Sequence, residues 1–234
     1  MPTDIQNERF SESWAVERWH EHAARVPLYL TPPSTPAIRD RIRAGALGAI
    51  MTPAQGNRLS GDYPLWCADN GVFGGSYPGD DAYLDWLGRL RPHADRCLFV
   101  VAPDVVGNHF ATLARSRPML RRIRDLGFPV AFAAQNFMEY DTWDPWDEID
   151  ALFLAGDTAW KLGPEAANLA AVASSVGKHV HMGRVNSRRR YDYATAIGCD
   201  SVDGTYLTFA PDANLPNVLF WTGDAAEQPS LFPL

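Results

Sequence analysis

Three cysteines in 234 residues is little, and Cys67, Cys97 and Cys199 stand far apart in the chain. They offer neither a disulfide framework nor Cys-x-x-Cys spacing, which excludes a thiolate zinc site and points to a reducing, cytoplasmic compartment. No apolar run approaches the roughly 18–20 residues that span a bilayer. The stretch Met1 to Arg9 is polar and does not read as a signal peptide, so no membrane role is expected. Positive charge is short as well. A formal net charge of −7 disfavours a non-specific nucleic-acid coat, although the arginines are clustered rather than spread. No Gly-x-Gly-x-x-Gly follows the first strand, which removes the main sign of a doubly wound dinucleotide fold. The six histidines, His20, His22, His93, His109, His179 and His181, show no metal spacing, even though the last two share one strand face. Neither a metal nor a cofactor is expected.

The chain itself is well filled, 46% hydrophobic and 12% aromatic, as one packed domain requires. Short apolar runs at 26–31, 47–52, 64–69, 97–102, 130–134, 151–155, 179–182 and 200–203 read as strands. Helical patterns at 36–44, 80–91, 109–126, 165–176 and 188–197 alternate with them, two closed by the glycines Gly127 and Gly177. Eight strands in such alternation predict parallel βαβ units, and a single-domain α/β fold of the (β/α)8 TIM-barrel type. The expected division is an N-terminal helical segment at 1–25, with an amphipathic helix from about Ser13 to Arg25, the barrel at 26–206, and a tail at 207–234 packed on it.

Several strands end in a carboxylate or carboxamide. Asp69-Asn70, Asp104, Gln135 and Asp203 stand at such ends, with Gly156-Asp157, Met182 and Arg184 at others. In a closed barrel all these ends face one mouth. Carboxylates aimed at one cleft repel each other, which raises at least one pKa and suits acid–base work. One carboxylate as nucleophile and another as acid or base is the logic of glycosyl transfer. By chemistry alone either Asp203 or Asp69 can attack. Plainer roles stand beside these: Asp104 as a helix cap, Met182 as core, and Arg115 to Arg124 as a solvated helix face.

Ala68-Asp69-Asn70-Gly71-Val72-Phe73 resembles the Asp-Ser-Gly-Gly-Phe/Tyr stretch of the tRNA-guanine (queuine) transglycosylases. Gly198-Cys199-Asp200-Ser201-Val202-Asp203 resembles their Gly-Val-Asp-x-x-Asp nucleophile strand, and Pro103-Asp104, Gln135, Ala155-Gly156 and His181-Met182-Gly183 match further motifs in order over 26–206. The resemblance implies that Asp203 attacks the anomeric carbon and that Asp69 is the general acid/base. It implies that Asp104 and Gln135, with Asn70 beside them and the Gly156 backbone, read the base edge, while Phe73 and Met182 sandwich its faces. It further implies exchange of guanine for a 7-deazaguanine in a polynucleotide. The tRNA enzymes carry a Cys-x-Cys-x-x-Cys…His zinc site and an added C-terminal segment that this sequence does not show, so the chain looks more like the zinc-free relatives that modify DNA. Lys161, Arg184 and the run Arg188-Arg189-Arg190 are the expected grips on the nucleic-acid backbone, with Trp160 stacking on a neighbouring base. A hydrolase or base exchanger acting on small nucleosides is the competing enzyme. A non-catalytic base- or nucleic-acid-binding member, working with an accessory protein, is a third possibility.

Overall fold

Each strand segment is only three to five residues long and buried along almost its whole length, because it is covered by side chains on one face and by helices on the other. The computed structural model describes residues 26–224; the expected helix Ser13–Arg25, with His20 and His22, and the last ten residues lie outside the described residues. Eight parallel strands close in chain order: β1 Leu28–Thr31, β2 Gly48–Met51, β3 Trp66–Ala68, β4 Cys97–Val101, β5 Val130–Ala134, β6 Ala151–Leu154, β7 His179–Met182 and β8 Ser201–Asp203. The closing pair sets Leu28 against Ser201 and Leu30 against Asp203. The fold is a (β/α)8 barrel, as the alternation predicted.

The helices are α1 Pro36–Arg43, α2 Asp80–Leu90, α3 His109–Asp125, α4 Thr158–Lys161, α5 Pro164–Ser175, α6 Arg188–Ala196 and α7 Pro211–Trp221. Side-chain caps start four of them: Thr35, Asn108, Asp157 and Ser187 each accept a backbone N–H of the first turn. Asp157 is therefore a cap, and it also accepts Asn136 Nδ2 at 2.8 Å. The expected tail contains α7, which closes the eighth unit, so the barrel continues past residue 206. Its two prolines masked it in sequence: Pro211 opens the helix and Pro216 interrupts the apolar period. Trp221 at its end stacks on Tyr206 and meets Tyr29 edge-on.

Strand parity divides the core in two. Tyr29, Trp66, Val100, Phe132, Val180 and Met182 point outward into the layer under the helices. Leu30, Ile50, Cys67, Phe99 and Ala133 fill the barrel itself. Gly48 is required there, since a Cβ on it would fall 2.3 Å from Leu30 Cδ2. All three cysteines are buried and free. Among the described residues, no helix is long and apolar enough to cross a membrane.

Candidate active site

The mouth is built by the loops that leave the strand ends. After β3 the chain turns on its own side chains: Asp69 Oδ1 accepts Gly71 N at 3.3 Å, and Asn70 Oδ1 accepts Val72 N at 2.8 Å. Gly71 at φ 78° completes the turn and delivers Phe73 to the rim, where it is 62% exposed. Asn70 Nδ2 reaches across to Ala102 O and to Asp104 Oδ1, at 2.9 and 3.0 Å. Gln135 Nε2 donates to the other Asp104 oxygen at 2.7 Å, and Gln135 Oε1 accepts Gly107 N at 2.9 Å. Three polar side chains from the ends of β3, β4 and β5 thus form one buried line along the cavity. Asn108, not Asp104, caps α3, which leaves Asp104 facing the pocket.

On the opposite wall stands Asp203. Its Oδ2 pairs with His181 Nε2 at 3.0 Å and its Oδ1 accepts Arg184 N at 3.0 Å. A glycine, Gly204, comes next because the backbone passes close to neighbours: a Cβ there would sit 2.3 Å from Asn186 Oδ1 and 2.6 Å from Val185 O. Arg184 is a non-glycine residue at φ 60°. Its guanidinium lies 4.6 Å from the Phe73 ring centre and donates to Ala155 O at 2.8 Å and to Gly156 O. The cavity between these walls has a volume of about 170 Å³ and is floored by Val101, Ala133 and Phe153. Ligand pockets commonly measure ~300–1,000 Å³, so this one suits a single heterocycle. A wider groove of about 490 Å³ lies on the exposed side of α3 by Phe110 and Pro118; its one charged lining group is Arg117, and it has no acid or base to do chemistry.

The two carboxylates experience opposite environments. Burial, the charge of Asp203 and, less strongly, that of Asp104 push Asp69 up to about 7, against the bonds it accepts from Gly71 and Asn70. Burial also pushes Asp203 up, but the bond and charge of His181, the Arg184 amide and Lys161 outweigh it and hold the carboxyl below the ordinary range. Burial keeps Asp104 above that range in spite of its Asn70 and Gln135 bonds. Near neutral pH one face of the cavity is an anion and the other is poised to hold a proton.

Asp69, Asn70, Phe73, Asp104, Gln135, Arg184 and Asp203 meet at this cavity. Others expected there do not. Met182 is buried in the layer under the helices, because His181 and Met182 alternate on β7 and His181 takes the inward face. Gly156 has no free backbone group for a base edge: its N–H donates to Ala134 O and its carbonyl accepts Arg184. Lys161 is 3% exposed and donates Nζ to Gly183 O, so it cannot grip a phosphate; burial, then Arg184, brings its ammonium down to about 7. Arg188 pairs with Asp192 at 2.6 Å and lies over Phe220, while Arg190 donates to Arg184 O at 3.0 Å. Arg189 is exposed. Trp160 is buried, with Nε1 on Glu139 at 2.9 Å, and is not available to stack on a base. Sequence reasoning misses His181 and Ser201. Their signal is His-x-His beside Ser-x-Asp, two period-two polar pairs on adjacent strands.

Because Asp104 accepts from both carboxamides, its replacement by asparagine puts a donor where the network needs an acceptor. Asp104→Asn is expected to weaken binding of guanine-type bases by roughly 10-fold or more, on the order of one lost buried hydrogen bond. Titration calorimetry with free guanine-type bases checks it, and unchanged affinity removes Asp104 from base recognition.

No family model matches the sequence, and no curated protein matches it either. Solved structures resemble it distantly. A phosphodiesterase in complex with c-di-GMP, PaMucR, shares 13% identity, with 61% of this chain and 60% of that one covered and a TM-score of 0.39. A mandelate racemase/muconate lactonizing protein from Herpetosiphon aurantiacus shares 12%, covering 79% of this chain and 56% of that one at a TM-score of 0.47. A KDPGal structure shares 14%, covering 75% and 80%, at a TM-score of 0.44. The chain thus spans less than two thirds of the first two. The barrel stands on its own strand order.

Proposed function

We propose that this chain is an enzyme, a transglycosylase that exchanges guanine for a 7-deazaguanine derivative in a polynucleotide, with DNA favoured over tRNA. The observation that carries the reading is the pair of carboxylates at one mouth, Asp203 held as an anion and Asp69 raised to about 7. A nucleophile must be ionised and a general acid must keep its proton, and this division of environments provides both. Asp203 attacks the anomeric carbon, forming a glycosyl ester as the base departs with a proton from Asp69. The incoming base gives that proton back as it displaces the ester. Exchange, rather than plain hydrolysis, suits a pocket whose polar line of Asn70, Asp104 and Gln135 reads leaving and entering bases alike. Phe73 and Arg184 supply a planar roof. The zinc motif of the tRNA-acting relatives has no counterpart among three scattered, buried cysteines, which favours DNA.

A base exchanger acting on free nucleosides is the second reading. It is favoured by the net charge of −7 and by the donors that Lys161, Arg188 and Arg190 spend within the fold. Radiolabelled guanine offered with single-stranded DNA, tRNA or guanosine separates the readings. Label in DNA is the expected result, label in guanosine alone supports the second reading, and label in none of them overturns both.

A further inference from the structure

The interior of a (β/α)8 barrel is ordinarily filled by branched apolar side chains. Here one quadrant is polar. His179 Nε2 lies 2.7 Å from Ser201 Oγ, Ser201 Oγ lies 2.8 Å from His181 Nδ1, and His181 Nε2 lies 3.0 Å from Asp203 Oδ2. His181 and Ser201 are fully buried, and His179 is 7% exposed. Phe99 and Phe153 close around the His181 ring, with centroids 5.0 and 4.6 Å away. A satisfied histidine in the core is the plainest account of such a line, but burying four polar groups where leucines would fit costs stability unless every bond is made. The line runs to Asp203, which lines the cavity.

We propose that His181 is a positioning residue for Asp203, and that Ser201 and His179 behind it hold the imidazole in place. The inference rests on the reading of Asp203 as the nucleophile. The bonding fixes the arrangement: an ionised carboxylate only accepts, so Nε2 of His181 carries hydrogen. Its Nδ1 then accepts from the Ser201 hydroxyl, whose oxygen accepts from His179 Nε2. Asp203 is gripped at one oxygen by His181 and at the other by the Arg184 amide, which fixes the carboxylate plane. The other titratable groups around the pair are Tyr29 on β1, Cys67 on β3 and Asp69 just after it, Lys161 on α4 and the Arg184 guanidinium. Asp69 and Lys161 both change charge near neutral pH, so the test must isolate His181 by substitution.

His181→Phe keeps a ring between Phe99 and Phe153 and deletes the donor. The expected result is kcat for exchange down by roughly 10²-fold with KM and base affinity little changed, as for a reacting group set loose by a fraction of its alignment. The acid limb of the pH–rate profile should move up by about one unit or more, since a buried carboxylate without its donor takes a proton more readily. His181→Gln, which can still donate to Oδ2, should recover much of the neutral-pH rate and much of the acid limb. An unchanged acid limb in folded His181→Phe overturns the proposal. Independently of turnover, ring-nitrogen NMR of the wild-type chain should place hydrogen on Nε2 of His181, and the resonance of that nitrogen should move in Asp203→Asn. If the wild type exchanges no base, the transglycosylase reading fails. If the Nε2 resonance of His181 is the same in Asp203→Asn, the coupling itself fails.

Discussion

Asp203→Ala is expected to abolish base exchange and, with it, every covalent enzyme–polynucleotide adduct. That is the largest effect expected of any substitution in this chain. Loss of a nucleophile removes the route rather than slowing it, and falls of about 10⁴-fold or more in kcat accompany such changes. The position is specific: Asp203 accepts from two donors fixed by the neighbouring strand and turn and is held below the ordinary carboxyl range, whereas Asp69 accepts only from its own turn and is pushed up to about 7. The measurement is denaturing electrophoresis of chain mixed with labelled single-stranded DNA, followed by mapping of the adduct by mass spectrometry. An adduct on Asp69, or one surviving in Asp203→Ala, reverses the two roles.

Asp69→Asn should leave base binding intact and slow exchange by roughly 10²–10⁴-fold, the usual worth of a positioned acid or base. The wild-type rate of guanine departure should fall as pH rises through about 7, where Asp69 gives up its proton, and this basic limb should vanish in the variant. Stability should also fall with rising pH. The folded chain holds the Asp69 proton up to about 7, whereas the unfolded chain releases it near 3.8. The native state therefore binds the extra proton between those values, so this group's contribution to stability declines as pH rises through that window. Asp69→Asn removes the penalty, and its melting temperature should exceed the wild type's at pH 8 by more than at pH 4. A basic limb retained in Asp69→Asn would assign the proton transfer to another group.

The barrel and the ring of polar strand ends are legible in the sequence because both rest on local signals. Short apolar runs bounded by Asp, Asn or Gln mark where a buried strand meets solvent, and closure gathers those ends. Sequence does not supply the inside and outside of each strand. The motif match sends Met182 toward the mouth, yet adjacent residues on a strand face opposite ways, and His181 takes the inward place. The pairing of His181 with Ser201 across β7 and β8 settles it, and that register is a tertiary fact. The cations fail for a related reason. Lys161 and Arg190 read as exposed charge, but each satisfies a carbonyl left open by the β7 loop, a need visible only once that loop is folded. The failure at α7 is local: two prolines break the helical pattern, although a helix tolerates proline at its first turn.

Arg184 sits in a left-handed backbone conformation that costs a non-glycine residue of order 1–3 kcal/mol. It also roofs the cavity over Phe73 and orients Asp203 through its amide. Glycine at this position would relax the main chain and keep the amide, yet strip away the roof. It would also leave the Ala155 and Gly156 carbonyls without that donor, so the strain of one main-chain residue is set against the contacts of its own side chain.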